Sequence, residues 1–322
     1  MLNEISSNTN TEELVWRNNR DFLATAGRFW AAKSEGRAEA LRLMKQFCDA
    51  VEELERWGWS VERIQDELAP SREIFATSTF MRRCQRWPRG YAGDFETIEY
   101  LAAGTNYSLP GSIGWHFEEI ILQSPIAQQH RNKLDLQANE IGHAVLRSRY
   151  ARVLSVACGG CLDWVPALPT LQNFAGEIVL NDFEPAALVL AESRIRPATG
   201  RIRLEQGNVL RTSKRLTRCP SFNLIIAGGL FDYLSDEAIL FLLRTFHEDL
   251  LSPEGVLLFS NLAQGNPWRT LMGYGSNWSL NERTEGQIRE LCRDAGIPQS
   301  ALSVKREDTG LAILTRVVKD GR

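Results

Sequence analysis

The chain has 322 residues, of which 43% are hydrophobic and 24% charged, and its formal net charge is −3. This composition is typical of a globular protein, and the length suits two domains better than one. The charge balance does not favour nucleic acid, which requires a basic face, and no window reaches the ~20 apolar residues that cross a bilayer. We therefore expect a small-molecule substrate, with no nucleic-acid partner and no membrane insertion.

The N-terminal segment, residues 1–14, is polar and acidic and lacks the apolar centre of a secretion signal. We accordingly expect a cytoplasmic protein. The four histidines are widely scattered, so no metal site is predicted. Cys158 and Cys161 form a C-x-x-C without a second pair nearby, and reduced thiols are the expectation for all six cysteines.

Helical patterns dominate the first half of the chain. One set of apolar residues recurs at the spacing of a helix face: Met44, Phe47, Cys48, Val51 and Leu54. Ser60 can cap a helix that begins at Val61, and a long helix is predicted over 126–149. Two loops rich in glycine separate these helices, at 87–96 and 104–114, and Asp94 can cap a helix predicted over 95–102.

After residue 150, short apolar runs alternate with helical patterns, notably at 185–193 and 237–250. The predicted strands are 152–157, 178–182, 201–206, 222–227, 256–262, 301–306 and 311–318. This alternation predicts a Rossmann-like, doubly wound α/β sheet of seven strands. A tight turn at 307–310 predicts an antiparallel C-terminal hairpin. We expect an all-helical domain over 1–145 and the sheet domain over 146–322.

The ends of the first two predicted strands indicate a nucleoside site. The first run ends in small residues, Ala157 to Cys161, and the second ends at Asp182. Small residues let the backbone approach a ligand closely, and a carboxylate at this position accepts hydrogen bonds from ribose hydroxyls. The alternative for Asp182 is an acid that simply faces solvent. The pattern predicts an adenosyl-type cofactor.

Three further motifs follow in order. They are Gly207-Asn208-Val209 after the third strand, Gly228-Gly229 after the fourth, and Ser-Pro-Glu-Gly at 252–255 before the fifth. Together with the first turn and Asp182, this set resembles the class I S-adenosylmethionine-dependent methyltransferases over residues 150–318. The resemblance implies that S-adenosylmethionine is bound as methyl donor and that no metal is needed.

A narrower resemblance extends into the first half. Its motifs are Arg-Gly-Tyr-Ala-Gly-Asp at 89–94, Leu-Ser-Val-Ala-Cys-Gly at 154–159, Gly-Leu-Phe-Asp-Tyr-Leu at 229–234, and Asn277-Trp278. They are similar to a bacterial subgroup with a helical N-terminal domain. That subgroup includes enzymes that make the methyl ester of 3-hydroxypalmitic acid and enzymes that cyclise S-adenosylmethionine to azetidine-2-carboxylic acid. The motifs leave both branches open.

The resemblance implies roles for several residues. Ala157, Gly159 and the backbone of Gly228 would line the methionine part of the cofactor. Asn208 would address the edge of the adenine and Val209 would cover its face. The alternative for Asn208 is an ordinary turn residue.

The sequence departs from the family at Ser155, where many methyltransferases carry an acid, and at Ala157 and Cys161, where they carry glycine. The missing acid raises the question of what holds the ammonium group of the cofactor. We expect Asp94 to accept from the ammonium and the ring of Tyr91 to lie near the sulfonium, which an aromatic face attracts by roughly 2 kcal/mol.

Arg131 would then pair with the cofactor carboxylate. The alternatives are that Asp94 only caps a helix and that Arg131 is an exposed helical side chain.

Methyl transfer from a sulfonium requires alignment of the nucleophile and exclusion of water. A hydroxyl or amine acceptor also needs a base, for which Asp232 and Tyr233 are candidates, whereas a carboxylate acceptor needs none. Both residues could instead be structural. The function expected is transfer to a small-molecule or acyl acceptor, carboxylate or hydroxyl, in secondary or signalling metabolism.

Other functions stay open. A cyclase would use the amine of the cofactor as nucleophile, and the neutral Ser155 suits an uncharged amine. A protein that binds the cofactor without turnover is also compatible with this fold. A nicotinamide dehydrogenase is disfavoured by the incomplete G-x-G-x-x-G turn and by the terminal hairpin.

Overall fold

The structure is a computed structural model that describes residues 14, 15, 17, 18, 36–198 and 200–321. Residues 1–13, on which the expectation about a secretion signal mainly rests, lie outside the described part. The chain divides into two compact units. One comprises Met1–Ala127 with Pro267–Ser279, and the other comprises Gln128–Asn266 with Leu280–Arg322. This division differs from the predicted boundary at 145/146, and the two units are described separately.

The first unit is helical. Its described helices are α1 (Gly36–Arg56), α2 (Val61–Glu67), α3 (Ala69–Phe75), α4 (Thr79–Arg86), α5 (Phe95–Ala103) and α6 (Ile113–Leu122). The rings of Phe47, Phe75 and Phe117 from three of them stack edge to face, with centroids 5.0 and 4.9 Å apart. Ser60 caps α2 as predicted, accepting from the backbone of Arg63. Packing of large aromatic side chains therefore forms the centre of this unit.

A buried carboxylate joins the elements around α6. Glu118 is fully buried, and its oxygens accept from the backbone N–H groups of Phe80 (3.0 Å) and Tyr107 (2.7 Å). Three hydroxyls also donate to it, from Ser78, Tyr100 and Ser108. Burial alone would raise the pKa of Glu118, but these hydrogen bonds hold it below its usual value.

The segment 267–279 packs against the helices through Asn277. Its side-chain oxygen accepts from Gln65 (3.0 Å) and Arg72 (2.9 Å), and its nitrogen donates to the carbonyl of Gln85. The indole of Trp87 donates to the Asn277 carbonyl. The predicted motif Asn277-Trp278 thus has a visible structural role, because its asparagine connects α2, α3 and the end of α4.

The second unit contains the sheet. Its strands are β1 (Arg152–Val156), β2 (Glu177–Asp182), β3 (Arg201–Gln206), β4 (Phe222–Ala227), β5 (Leu251–Leu262), β6 (Leu302–Arg306) and β7 (Ala312–Val318). They form one sheet in the order β3-β2-β1-β4-β5-β7-β6. Strands β1 to β5 pair in parallel, whereas β7 is antiparallel to both β5 and β6. The predicted seven-stranded sheet with a C-terminal hairpin is confirmed.

Helices cover both faces of this sheet, as expected for a doubly wound fold. They are α7 (Pro125–Arg147), α8 (Pro185–Ile195), α9 (Val209–Leu216), α10 (Asp236–Arg244) and α11 (Glu285–Asp294). One apolar core contains Leu216, Leu242 and Ile288, from α9, α10 and α11. A second core contains Ile141 and Leu188, from α7 and α8. No described helix is both long enough and apolar enough to pass through a bilayer.

Two predicted boundaries are wrong. Strand β5 begins at Leu251 rather than at Val256, so the Ser-Pro-Glu-Gly motif lies inside the strand. The pairing with β4 shifts there, and Glu254 adopts a left-handed φ of 59°. The helix predicted over 237–250 is α-helical only to Arg244 and continues as a π-helical turn, Thr245–Leu250.

We expect Glu118→Gln to lower the free energy of unfolding by about 3 kcal/mol at pH 7, because a neutral amide cannot accept five donors and leaves several of them buried without partners. Because the folded pKa of Glu118 is depressed, the stability it contributes is present above the ordinary value of 4.5 and is lost as the pH falls through the lower folded pKa. Denaturant unfolding at pH 7 and pH 3 measures both effects. The difference between wild type and variant should shrink at pH 3, whereas exposed Glu52→Gln should match wild type at both.

Candidate cofactor site

The turn after β1 has an unusual backbone. Ala157, Gly159 and Cys161 have φ values of 48°, 51° and 57°, all in the left-handed region. Glycine adopts this region without strain, but for an alanine or cysteine it costs roughly 1–2 kcal/mol. These are the positions at which the resemblance led us to expect glycine. The turn therefore keeps the backbone shape of a glycine-rich loop although only one of the three residues is glycine.

Asp182, at the end of β2, holds this turn. One carboxylate oxygen accepts from the N–H of Gly159 and the other from the N–H of Glu184, both at 2.9 Å. The side chain is only 6% exposed, so it is not the solvent-facing acid of the alternative reading. Burial raises the pKa of Asp182, and the two backbone N–H groups oppose that shift.

A second acid, Asp163, lies just beyond the turn, and the sequence analysis did not identify it as a candidate site residue. Asp163 is buried in the short 3-10 helix Leu162–Trp164, where it accepts from backbone N–H groups of that turn. Burial raises its pKa to about 7, against the opposing charge of Arg194. The same arginine donates to the carbonyl of Gly160. The turn after β1 is thus held by two side chains, Asp182 at the N–H of Gly159 and Arg194 at the carbonyl of Gly160.

The residues after β3 have partners within the protein. The side-chain oxygen of Asn208 accepts from the N–H of Leu210 at 2.9 Å and so caps α9. Val209 is buried in the core beneath that helix. Asn208 is thus a helix cap, whereas the alternative stated from the sequence was an ordinary turn residue, and contact of either residue with adenine stays a prediction.

Phe183 follows Asp182 directly and is 51% exposed. An aromatic ring of this exposure beside a buried acid is suited to lie against a flat ligand. The sequence signal was its position immediately after the strand-end acid.

Gly228 follows β4 and faces helix α7. A Cβ atom at this position would lie 2.3 Å from the side-chain oxygen of Gln137. Gln137 donates to the Gly228 carbonyl at 3.4 Å, and Ser260 of β5 donates to the same carbonyl at 2.6 Å. A side chain at Gly228 would therefore displace the amide of Gln137 from its present position.

Asp232 is buried beyond Gly228, with its carboxylate accepting from the N–H of Leu262 and its carbonyl accepting from Asn281. Burial raises the pKa of Asp232, against the nearby charges of Lys133 and Arg283. These contacts give Asp232 a structural role at the end of β5. Tyr233, next in the chain, is 42% exposed, and its catalytic role stays a prediction.

The remaining candidates lie on helices. Arg131, on α7, is partly exposed and donates to Gln128 at 3.0 Å, and burial lowers its pKa. Asp94 caps α5 in the helical unit, where its carboxylate accepts from Arg83 (2.5 Å) and from Thr97. Tyr91 lies half-buried in the preceding loop. The contacts of Asp94 are those of the capping alternative, and the cofactor roles of all three residues stay predictions.

Comparison with known proteins concerns the fold. No model of a known protein family matches the chain. Protein YnbC of Escherichia coli (strain K12), which is named as uncharacterized, is 24% identical over 157 residues, covering 45% of this chain and 26% of that protein. The chain thus spans about a quarter of the length of this curated relative.

Three solved structures illustrate the likeness. A "possible exported protein" from Bordetella parapertussis has a TM-score of 0.60 at 19% identity, covering 90% of this chain and 97% of that chain. Magnesium protoporphyrin IX methyltransferase from Synechocystis has a TM-score of 0.45 at 10% identity (61% and 87% covered). Human N-acetylserotonin methyltransferase has a TM-score of 0.42 at 16% identity, covering 63% of this chain and 59% of that chain.

The strand order is the deciding observation, because β7 inserts antiparallel between β5 and β6 in an otherwise parallel sheet. The fold is that of a class I S-adenosylmethionine-dependent methyltransferase. In open, mostly parallel α/β sheets, ligands bind outside the carboxyl ends of the strands, and here the ends of β1 and β2 carry the left-handed turn and the buried Asp182. These residues fit the cofactor. Among the described residues, no group of three or more His, Cys, Asp or Glu side chains is arranged to hold a metal ion.

The left-handed turn gives a stability test. Ala157 is exposed, so a larger side chain meets no packing obstacle and reports backbone strain alone. We expect Ala157→Val to lower the free energy of unfolding by about 2 kcal/mol, because a β-branched residue at positive φ is severely strained. Ala157→Gly should change it by less than about 1 kcal/mol, since relief of strain offsets the added freedom of the unfolded chain. Urea unfolding of both variants measures this, and equal stabilities would contradict it.

Proposed function

We propose that the protein is an S-adenosylmethionine-dependent methyltransferase that acts on a small-molecule or acyl acceptor. The observation that supports this most directly is Asp182, a buried carboxylate at the end of β2 that is hydrogen-bonded to the turn after β1. Its burial disfavours the charged form, so a ligand that donates two hydroxyl hydrogens to it would recover part of the lost solvation.

Different residues of the sheet unit would contact different parts of the cofactor. Asp182 would bind the ribose, and the turn from Ala157 to Cys161 would let the backbone lie close to the cofactor. Phe183 would cover a face of the adenine. When bound, S-adenosylmethionine supplies a methyl group on a positively charged sulfur. The protein needs to hold the acceptor in line with that bond and to exclude water.

The chemistry of the acceptor follows from the bases available near β4. Asp232 is buried and hydrogen-bonded to Leu262, so it is better suited to hold the strand end than to take a proton from a substrate. An acceptor that is already an anion, such as a carboxylate, needs no base. This supports a carboxylate acceptor over a neutral hydroxyl, for which Tyr233 stays the candidate base. We also propose that the reaction belongs to secondary or signalling metabolism and takes place in the cytoplasm.

We expect Asp182→Asn to weaken binding of S-adenosylhomocysteine about 10- to 100-fold at pH 7, the range for a lost charged hydrogen bond. Because the folded pKa of Asp182 is raised above 3.8, the wild-type affinity should fall as the pH is lowered through that raised value and the carboxylate is protonated. The variant should lack this dependence.

Isothermal titration calorimetry between pH 4 and pH 8 measures both effects. Glu184→Gln is the matched control, since Glu184 donates to Asp182 through its backbone N–H, and it should bind as wild type does at pH 7. The charge of Glu184 raises the pKa of Asp182, so this variant should lose affinity at a lower pH than wild type does. Unchanged affinity in Asp182→Asn would contradict the ribose assignment.

The type of reaction is tested by incubating the protein with S-adenosylmethionine alone. We expect no turnover without an acceptor, and S-adenosylhomocysteine only when a carboxylic acid acceptor is added. Mass spectrometry of the products distinguishes the alternatives. Methylthioadenosine with azetidine-2-carboxylic acid would establish the cyclase instead, and binding without any product would indicate a non-catalytic protein.

A further inference from the structure

Helix α7 has a buried face that changes character along its length. Towards its C-terminal end this face is apolar, with Ile141, Ala144 and Val145 in the core with β1 and β2. Towards its N-terminal end the buried residues are Gln129, His130, Lys133 and Gln137, which are 7%, 8%, 5% and 5% exposed. Residues four apart lie on the same side of a helix, so these four side chains form one buried polar stripe.

The stripe lies at the edge of the sheet where ligands bind in this fold. Gln137 donates to the carbonyl of Gly228, just past β4. One turn earlier, Lys133 lies close enough to Asp232 to lower the pKa of that acid against the effect of its burial. Asn132 donates at 2.7 Å to Glu307, at the end of β6. Strand β6 runs parallel to β4, so both contacts are at the same edge.

Several polar atoms of the stripe have no partner in the described part of the chain. The side-chain oxygen of Gln129 and the Nε2 atom of His130 are buried there without a hydrogen bond. Lys133 likewise donates no hydrogen bond to any described residue. Buried polar groups are nearly always hydrogen-bonded, and leaving one unpaired costs about 1–3 kcal/mol. Such a cluster at a substrate-binding edge indicates groups whose partners belong to a ligand.

The charge of the stripe indicates the ligand chemistry. Burial, with the charges of Lys133 and Arg131, lowers the pKa of His130 to about 3, so this side chain is neutral near pH 7. Lys133 is then the cation of the stripe. Its charged neighbour in the protein is Asp232, which also accepts from Leu262 and lies near Arg283, and no hydrogen bond joins Lys133 to Asp232 in the described part of the chain. A buried ammonium with free donors suits a carboxylate.

We propose that the buried stripe on α7 binds a carboxylate group of a substrate, with Lys133 as its counter-ion and the side-chain amide nitrogen of Gln129 as a donor beside it. This inference rests on the proposed function, which supplies two carriers of that group. They are the amino-acid end of S-adenosylmethionine and a carboxylic acid acceptor. It assigns to Lys133 the role that the sequence pattern assigned to Arg131.

The first experiment compares S-adenosylhomocysteine with methylthioadenosine, which lacks the amino-acid end, by calorimetry. If the carboxylate is that of the cofactor, wild type binds S-adenosylhomocysteine at least about tenfold more tightly, and Lys133→Met loses this preference with methylthioadenosine affinity unchanged. Lys133→Arg, which keeps the charge, should retain most of the preference. Lys305→Met, at an exposed lysine of β6, should behave as wild type.

The second experiment covers the acceptor as the source. Protein saturated with S-adenosylhomocysteine is titrated with sodium octanoate and with octanamide, which have the same chain length and differ in charge. If the acceptor carries the carboxylate, wild type prefers octanoate about tenfold or more, and Lys133→Met loses that preference while keeping its preference for S-adenosylhomocysteine.

The proposal is overturned if the wild type prefers neither S-adenosylhomocysteine over methylthioadenosine nor octanoate over octanamide. It is also overturned if a folded Lys133→Met variant keeps every preference of the wild type. Loss of either preference in Arg131→Met but not in Lys133→Met would overturn it too. Should Lys133→Met not fold, Lys133→Gln takes its place in both titrations. Failure of the proposed function, as opposed to failure of the Lys133 assignment, would be recognised from nucleoside binding by the wild type. If neither nucleoside binds the wild type, that function is wrong, and octanoate titration of the free protein still decides the role of Lys133.

Discussion

The carboxylate of Asp182 joins the turn after β1 to the turn after β2. It takes the N–H of Gly159 from the turn after β1 and the N–H of Glu184 from the turn after β2. Burial of the acid raises its pKa, and the backbone N–H groups that face it oppose that shift without cancelling it. The proposed ribose contact would supply further donors, so one carboxylate would both hold the turn and bind the ligand.

A different constraint governs the other half of the sheet, where α7 approaches β4. Because Gly228 has no side chain, the amide group of Gln137 occupies the space beside it. Further along the helix the buried face becomes apolar and joins the core. The buried face of α7 therefore changes from polar to apolar near the carboxyl ends of the parallel strands. Some polar groups at that end have partners in the protein, as Gln137 has in Gly228, and the proposed carboxylate would be the partner of Lys133.

Much of the fold follows from the sequence. Strand β4 lies where its apolar run predicted it, since a buried parallel strand is the simplest pattern to recognise. Strand β3 also has its predicted bounds, although it is a partly exposed edge strand with alternating charged residues. The first residues of β5 were not predicted as strand because Ser252 to Gly255 has the composition of a turn. In the structure the hydroxyl of Ser252 donates to the carbonyl of Phe222, and this bond keeps the motif alongside β4. Such a contact across the sheet is not visible in local composition.

The site was harder to predict, for a related reason. Asp182 was recognisable because a strand and a turn lead to it. Lys133 was not, because Gln129, Lys133 and Gln137 have the spacing of an ordinary solvated helix face, and spacing alone does not show which face is buried.

The neutral Ser155 can be understood from its surroundings. It is 2% exposed in the middle of β1, between Leu180 of β2 and Ile226 of β4. A carboxylate there would be buried among apolar neighbours and would require its own donors, at a cost of several kcal/mol. The chain instead places its buried charges, Lys133 and Asp232, past the end of β4, where backbone N–H groups and Arg283 are available. The strand can then stay neutral while the charge that meets the substrate sits at the edge of the sheet.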